Sequence, residues 1–538
     1  MSSIIGALLV NNIKLPVDAS ENEAFSIAVK RIRRAGISFS SPTCSIFRRS
    51  IDARRKGDIS FVYSIAVRAD FVTTKEKISA VENISLLEDA EPNIEIGNEP
   101  LDSPPVIVGA GPAGLFAALI LAESGYKPIV IERGGSVKER QRKVDEFNSH
   151  QRLDTETNIQ FGAGGAGTFS DGKLITRIND PLSSYVMNRF VQCGAPPEIT
   201  YLAKPHIGTD VLATVVDNMI AQIESLGGRV LYHTKLTDLE FSSNRVTHAI
   251  TTEGKIATGA IVLATGHSAR DTYFTLLKRG FIIEPKPFSV GMRIEHKRTD
   301  IDKALFGDMA GHPLLGHAEY ALSCDTKTRG VYTFCMCPGG EVVAAASEDG
   351  GVVVNGMSRF ARNSENSNSA VVVSVFREDY GNTPESAIEF QRQIERTAYA
   401  VGGNNYSAPI VTVGDFLEDK AKKDPSRVTP SYMGGKHVRV ASPDLYLPKF
   451  VTTGLKRGIS EFDKKIEGFG ASDAVLTGAE TRTSAPVRIM RESETRLALG
   501  YANVYPAGEG AGYAGGITSA AIDGIKCAIA IMKRYKPL

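Results

Sequence analysis

The sequence predicts an α/β fold: a three-layer domain around a mostly parallel sheet, an inserted α+β domain, and an N-terminal α+β domain. Three observations lead to it. Near residue 106 a short apolar strand runs directly into a glycine-rich turn and a helical pattern. A β-α-β-β-α-β pattern precedes that strand. Strand–glycine turn–helix signals are missing from the sequence between residues 288 and 484. A chain of 538 residues has room for roughly two to four domains.

We expect four segments, at residues 1–98, 103–285, 286–484 and 485–538. The first is the N-terminal domain. The second and fourth together form the parallel-sheet domain, and the third is an inserted cap that forms one wall of an active site. A run with three prolines and three acidic residues, 95–105, is typical of a linker between the first two segments.

Charge and composition exclude several classes. The 62 Lys and Arg residues balance 61 Asp and Glu residues, so no global charge indicates a nucleic acid or an anionic membrane as partner. The longest early apolar stretch, 4–10, is far shorter than the ~20 residues that a bilayer requires. The six cysteines contain no C-x-x-C pair, which predicts no metal site and a reducing, cytoplasmic compartment.

The N-terminal segment has the pattern of a ferredoxin-like α+β domain. Ser20-x-x-Glu23 predicts the start of a helix that runs to about Ala35, and strict alternation of apolar residues from Ile59 to Val67 predicts a half-buried strand. Basic residues are concentrated in its first 60 positions, including Arg33, Arg34, Arg54 and Arg55. We interpret them as a solvated face, and a docking surface for RNA is the alternative.

Residues 104–132 carry the most specific signal. A buried strand, 106–108, is followed at once by G-x-G-x-x-G, a helix, a second strand and then an acid, which is the βαβ context of a Rossmann-type dinucleotide site. The glycines permit a tight turn and a close approach of the pyrophosphate to the helix N-terminus, and the acid accepts hydrogen bonds from ribose hydroxyls. The residues expected to contact the cofactor are Gly109, Gly111, Pro112, Ala113, Gly114, Glu132 and Arg133.

Three later segments contain glycine-rich turns whose backbone is open to a ligand. A second glycine cluster spans 161–172, a buried strand ends in the turn 264–266, and a strand before residue 507 leads into a third glycine cluster and a helix. Loops of this type let a flat or anionic ligand contact the backbone. From the second glycine cluster we add Gly164, Gly165, Gly167 and Thr168 to the cofactor site.

These segments resemble the FAD-dependent oxidoreductases of the glutathione-reductase-like class, in which an N-terminal G-x-G-x-x-G and a C-terminal Gly-Asp strand grip the two ends of FAD. Here the C-terminal acid is Glu509. Four motifs in order, FSVGMR (288–293), YTFCMCPGG (332–340), ETRTSAPVRI (480–489) and PAGEGAGYAGGI (506–517), resemble more closely a family of bacterial FAD-dependent dehydrogenases with an N-terminal ferredoxin-like domain. The resemblance implies FAD as cofactor and the last helix N-terminus at the flavin pyrimidine edge. It adds to the cofactor site Thr265, Gly266, Gly508, Glu509, Gly516 and Ile517.

The inserted segment holds the candidates for catalysis. Cys337 lies two residues from Cys335 on a predicted strand, so both side chains are expected on one face, as a redox pair or as two small buried residues. Arg482 is expected to bind an anionic substrate group or the flavin, or to form a structural ion pair. His296 and His267 have the chemistry of an acid near neutral pH.

The sequence thus predicts an FAD-dependent oxidoreductase that holds FAD non-covalently and moves a hydride to or from a small molecule. There is no second G-x-G-x-x-G in a βαβ context, so NADH or NADPH would bind only transiently, over the flavin. Two alternatives stay open: a flavoenzyme that acts on RNA, and an FAD-bound thiol redox sensor without turnover. The substrate and the oligomeric state do not follow from the sequence.

Overall fold

The computed structural model describes residues 3–55, 57–87, 92, 94–176, 180–326 and 329–538. Its N-terminal part is a four-stranded antiparallel sheet in the order β2-β3-β1-β4, with the predicted β-α-β-β-α-β sequence of elements. The N–H of Ser20 donates to Glu23 Oε1 (3.2 Å), as the capping pattern predicts. The elements are β1 (Ser3–Pro16), α1 (Glu21–Arg34), β2 (Thr43–Asp52), β3 (Ser60–Thr73), α2 (Lys75–Ser79) and β4 (Ile84–Leu86).

The next part of the chain alternates strands and helices. Each of its three short central strands is an uninterrupted run of Val, Ile and Leu that is buried on both faces, as strands of a covered parallel sheet are. The elements are β5 (Val106–Val108), α3 (Pro112–Glu123), β6 (Ile129–Ile131), α4 (Val137–His150), α5 (Leu182–Gln192), α6 (Thr209–Ser225), β7 (Arg229–Leu231), β8 (Leu236–Ser242), β9 (Arg245–Thr251), β10 (Gly254–Ala257), β11 (Ile261–Leu263) and α7 (Arg270–Lys278).

The inserted part is built on a second, larger sheet. Seven strands lie in the order β14-β15-β18-β13-β21-β19-β20, and each neighbouring pair is antiparallel except β19 and β20. The elements are β12 (Ile283–Pro285), β13 (Phe288–Lys297), α8 (Arg298–Phe306), β14 (Ser323–Asp325), β15 (Gly330–Cys337), β16 (Glu341–Ala344), β17 (Val354–Met357), β18 (Asn366–Val375), α9 (Arg377–Tyr380), α10 (Pro384–Gly402), β19 (Ala408–Thr412), α11 (Val413–Leu417), β20 (Val438–Val440), α12 (Lys449–Asp463) and β21 (Val475–Glu480).

The C-terminal part completes the first sheet. Its strand β23 pairs with β11, which gives a five-stranded parallel sheet in the order β23-β11-β5-β6-β7 and confirms the predicted fold class. The chain leaves for the insert through β12 and returns through β22, and these two strands pair with each other. The four segment boundaries proposed above stay predictions. The elements are β22 (Val487–Ile489), β23 (Val504–Pro506) and α13 (Ile517–Arg534).

The topology brings distant turns to one edge. In a parallel sheet the carboxyl ends of all strands lie at the same edge, so the turns after β5, β6, β11 and β23 meet there. Helix α3 packs on the neighbouring helix α13, and both helices begin at this edge. This arrangement places the three glycine clusters side by side although they lie about 400 residues apart in the chain (109 to 516).

Gly114 lies where helix α3 packs closely against the turn after β5. A Cβ at Gly114 would lie 1.9 Å from the carbonyl oxygen of Gly109, whereas a Cβ at Gly111 finds its nearest neighbour at 3.8 Å. A Gly→Ala substitution inside a helix ordinarily stabilises the folded protein, so a loss of stability at Gly114 would be opposite to the usual effect. We expect Gly114→Ala to lower the free energy of unfolding by about 1–3 kcal/mol and Gly111→Ala to change it by less than about 1 kcal/mol.

Chemical denaturation of both variants measures this difference. Equal stability of the two variants would contradict the close packing of α3 against the turn that precedes it.

Candidate active site

A cavity of about 420 Å³ lies at this edge, between the parallel sheet and the inserted domain. Its size is within the usual range for small-molecule and cofactor sites. One side consists of the turns that follow β5, β6, β11 and β23, and the opposite side includes residues 333–336 of β15 together with Arg482. The cavity is therefore shared by the two parts of the chain that the sequence assigns to cofactor and substrate.

Most of the residues predicted to bind the cofactor line this cavity. They are Gly109, Gly111, Pro112, Ala113, Glu132, Arg133, Gly165, Gly167, Thr265, Gly266, Glu509, Gly516 and Ile517. The other four, Gly114, Gly164, Thr168 and Gly508, lie behind the lining. Gly164 leaves no space for a side chain, because its Cβ would lie 2.0 Å from Thr168 Oγ1, and a Cβ at Gly508 would lie 2.7 Å from that of Ala113.

Glu132 ties the turns together. Its Oε2 accepts a hydrogen bond from the N–H of Ala110 (2.9 Å), and its Oε1 accepts from Gly134 (3.0 Å) and Gly162 (2.9 Å). A carboxylate has about four acceptor sites, so one is left for a ribose hydroxyl in the cavity. The sequence predicts the ribose contact but not this backbone role, because the partners come from three separate turns.

Arg133 is held by the protein itself. Its guanidinium donates to both carboxylate oxygens of Asp271 (2.9 and 3.0 Å) and to Glu156 (2.6 Å), and it lies 4.1 Å from the centre of the Phe161 ring. Because its charge is neutralised by these two carboxylates, Arg133 shapes the wall of the cavity and is not a free cation for a phosphate.

Three glycines leave space where a ligand would lie. A Cβ added to Gly266, Gly515 or Gly516 would meet no protein atom within 4 Å, although all three residues line the cavity. Gly516 is also the residue that precedes helix α13, so the free N–H groups of that helix face the same space. This combination suits a flat ligand with negative charge.

Glu509 is the acid at the end of β23. Its side chain is half-buried and faces the cavity, and burial raises the pKa of its carboxyl to about 7 although Lys286 opposes that change. The neighbouring Gly508 N–H donates to Asp523 (2.8 Å), which also accepts from Arg491 (2.7 Å) and Arg496 (2.8 Å). Asp523 fixes the turn, and the sequence analysis missed it because it lies inside α13, without a motif of its own.

Arg482 lines the cavity, but its guanidinium already donates hydrogen bonds to other residues of the protein. Its Nε and Nη2 donate to Glu395 (3.2 and 3.0 Å), which is also paired with Arg270 (2.7 Å), and its Nη1 donates to Ser347. Of the two interpretations of Arg482, the geometry agrees with the structural ion pair, while its predicted contact with a substrate or the flavin stays a prediction because the side chain also lines the cavity.

Arg270, Glu395 and Arg482 form a buried triad that carries one more positive than negative charge next to the cavity. Glu395 is shared by two arginines, and their charges keep its pKa well below the usual range. Glu348 accepts from Arg270 (2.8 Å) and from Arg392 (2.6 Å), so three arginines face two carboxylates. The net charge of +1 favours a ligand that gains negative charge.

The histidine expectations need correction. His296 does not line the cavity: its ring is buried, its Nε2 lies 2.7 Å from the carbonyl oxygen of Phe469, and burial lowers its pKa. His267 does line the cavity, but burial and then the charges of Arg482 and Arg270 lower its pKa to about 3. Both rings are therefore neutral near pH 7, and neither has a proton to give as an imidazolium.

The two cysteines of β15 differ in position. Cys335 lines the cavity, whereas Cys337, the predicted catalytic residue, is buried behind it. The shared face expected from i and i+2 does not occur because the strand has an extra residue here: Phe334 pairs with Ala370, and Cys337 pairs with Asn368. Cys335, which the sequence analysis did not include among the catalytic residues, is the cysteine that faces the cavity.

Comparison with known families agrees with this site. Residues 102–144 match the family model described as "FAD binding domain", and residues 287–483 match "FAD-dependent protein, C-terminal domain-like". Residues 8–68 match a domain of unknown function. Together with the parallel sheet and its glycine-lined cavity, these matches define the chain as an FAD-dependent oxidoreductase.

A full-length relative gives the family. The chain is 45% identical over 537 residues to an "Uncharacterized protein" of Clostridium beijerinckii, across 98% of this chain and 99% of that protein. The chain belongs to the family of that clostridial protein.

Solved structures are similar only at a distance. An L-amino acid deaminase from Proteus vulgaris is 12% identical over 84% of this chain and 98% of its own, with a TM-score of 0.34. A glycine oxidase from Bacillus cereus is 9% identical over 81% of this chain and 96% of its own, with a TM-score of 0.32. These low values carry no conclusion about the substrate.

The pKa of Glu509 predicts a pH dependence of stability. In the unfolded chain its carboxyl loses the proton near pH 4.3, but in the folded, flavin-free protein it keeps the proton to about pH 7. Ionisation therefore costs the folded state stability as the pH rises between these values. Relative to wild type, Glu509→Gln should gain about 2 kcal/mol across this range, after a discount for water in the cavity.

Urea denaturation of the flavin-free proteins at several pH values measures this gain, with the exposed Glu494→Gln as a control for a lost charge. Parallel curves for wild type and Glu509→Gln would show that Glu509 is ionised throughout.

Proposed function

We propose that this chain is a dehydrogenase-type flavoenzyme that holds FAD non-covalently in the cavity and moves a hydride to or from a small polar molecule. The observation that carries the proposal is the continuity of the cavity. It runs from the glycine turns of the parallel sheet to the inserted-domain residues of β15 and Arg482. Bound FAD supplies a ring that accepts or releases two electrons with a proton.

The residues of the chain divide into two ends of the FAD site. The turn at Gly109 and Gly111 and the N-terminus of α3 would hold the pyrophosphate, and the free acceptor site of Glu132 would bind the ribose. At the other end, Glu509 would contact the ribityl chain and the N-terminus of α13 would face the flavin. That helix N-terminus and the charged triad around Glu395 would stabilise the negative charge of a reduced ring.

The remaining wall indicates the character of the substrate. Lys173 and Glu319 form an ion pair (3.5 Å) that lines the cavity, and Asn355, Thr333 and Tyr320 line it as well. Phe334 and Met336 also line this wall, so its ion pair, amide and hydroxyl groups suit a polar molecule that has an apolar part. In the N-terminal domain, Arg54 is paired with Asp52 (2.8 Å) while most of its side chain is exposed, and the RNA alternative stays a prediction.

We place the protein in the cytoplasm. All six cysteines are free thiols in the structure, which fits a reducing compartment. Within the described part of the chain, every helix is too short or too polar to cross a membrane.

Gly516→Val tests where the flavin lies. A Cβ at Gly516 would meet no protein atom within 4 Å and would lie in the cavity, so we expect the free energy of unfolding of the flavin-free protein to change by less than about 1 kcal/mol. The affinity for FAD should fall about tenfold or more, because the new methyl groups occupy the space of the ring.

The matched control is Gly6→Val, since Gly6 also has open space around it but lies in the N-terminal domain. Titration of the flavin-free proteins with FAD measures the affinities. Unchanged affinity in Gly516→Val would place the flavin elsewhere.

The hydride-transfer function is tested by anaerobic reduction. We expect the purified protein to show a flavin spectrum, to release FAD on acid precipitation, and to be bleached by NADH or NADPH. A bound flavin that neither nicotinamide reduces would make the chain's own substrate the reductant. Flavin that no small-molecule donor reduces would contradict the proposal and favour a sensor without turnover.

A further inference from the structure

We propose that Cys335 and Cys337 are a redox pair that exchanges two electrons with the flavin, by cycling between a dithiol and a disulfide across the wall of the cavity. The inference rests on the proposed function in one respect only, that FAD occupies the cavity. It assigns a second redox centre to the chain, on the inserted domain rather than on the FAD-binding sheet.

The local backbone departs from a regular strand at the two cysteines and brings the Cys337 thiol against the backbone of Cys335. In a regular strand, residues i and i+2 have Cα atoms about 6.6 Å apart, near the upper limit for a disulfide. The extra residue between Phe334 and Cys337 breaks that geometry, and Cys335 has a φ of +46°, a left-handed conformation that is rare for a side chain other than glycine. The Cys337 thiol lies 3.3 Å from the carbonyl oxygen of Cys335.

A buried arginine holds this bulge. Arg293 Nη1 donates to the carbonyl oxygen of Cys335 (3.0 Å) and lies 3.9 Å from Cys337 Sγ. The same guanidinium is fixed by Glu480 (3.0 Å) and by Asn368 (2.8 Å). Strained backbone that is over-determined by buried hydrogen bonds is typical of functional sites.

The two thiols have different electrostatic environments. The pKa of Cys335 is lowered by a hydrogen bond from the Cys337 thiol and further by the charges of Arg293 and Lys173. The pKa of Cys337 is raised, because it donates that hydrogen bond and is buried. The cavity-facing sulfur is thus the better thiolate, and the inner sulfur keeps the proton, which is the division of roles that a nucleophile and its resolving thiol need.

The reaction balances without another reagent. A sulfur–sulfur bond forms between Cys335 and Cys337, the S–H bond of Cys337 breaks, and two electrons and that proton pass to FAD, which is thereby reduced. In the opposite direction, the disulfide would accept two electrons and a proton from reduced FAD, which yields the Cys335 thiolate and the Cys337 thiol. The pair would store one further electron pair between encounters with donor and acceptor.

Counting electrons tests the proposal. The FAD-loaded protein is oxidised with ferricyanide, freed of the oxidant, and titrated with dithionite without oxygen. We expect about four electrons per flavin for wild type and about two for Cys335→Ser/Cys337→Ser, a twofold difference. Cys44→Ser/Cys324→Ser, which removes two half-buried thiols outside the cavity, should still take about four.

Thiol labelling gives a second readout that needs no variant. Alkylation of the denatured wild-type protein, followed by mass spectrometry, should leave Cys335 and Cys337 unlabelled in the oxidised state and labelled after reduction. About two electrons per flavin in wild type, with both thiols labelled in both states, would overturn the redox pair while leaving the flavoenzyme intact. A protein that never acquires flavin would instead contradict the proposed function, and its spectrum shows this before the titration begins.

Discussion

The carboxylate of Glu132 is the contact on which the cofactor site depends. It joins the turn after β5, the turn after β6 and the second glycine cluster through three backbone N–H groups. These three N–H groups are buried, and a buried backbone N–H without a hydrogen-bond partner is costly. A single buried acceptor satisfies all three amides and fixes their spacing. The same acid is the residue that we propose for the contact with the ribose.

The inserted domain is joined to this site by buried charge. Arg270 follows the turn after β11, Glu395 lies on α10, and Arg482 follows β21, so the triad links the parallel sheet to the insert. Removing one partner from a buried ion pair lowers stability far more than removing one partner from a surface pair, because the remaining buried charge has no counter-charge. The triad therefore holds the cap at a defined distance from the cofactor residues, and its excess positive charge faces the same cavity.

Local signals in the sequence lead to cofactor candidates that mostly line one cavity, and they do not reveal the surroundings of the catalytic candidates. The G-x-G-x-x-G turn, Glu132 and the C-terminal glycines are found because the residues adjacent to them define the strand and the helix around them. The partner of Arg482 is 87 residues away, and the environment of His296 depends on Phe469, so no spacing rule reveals them. The bulge in β15 leaves Cys335 at the cavity and Cys337 behind it, which strand periodicity does not predict. The long strands β13 and β18 show continuous burial without alternation, so periodicity does not reveal the seven-stranded sheet.

The central claim is that this chain grips both ends of FAD, and a comparison of flavins tests it most directly. Isothermal titration of the flavin-free protein with FAD and with FMN measures what the Glu132 end contributes, since FMN lacks the adenosine half. The account predicts that FMN binds at least about a hundredfold more weakly than FAD, a loss of about 3 kcal/mol. Equal affinities would contradict it, because the turns around Glu132 would then bind nothing.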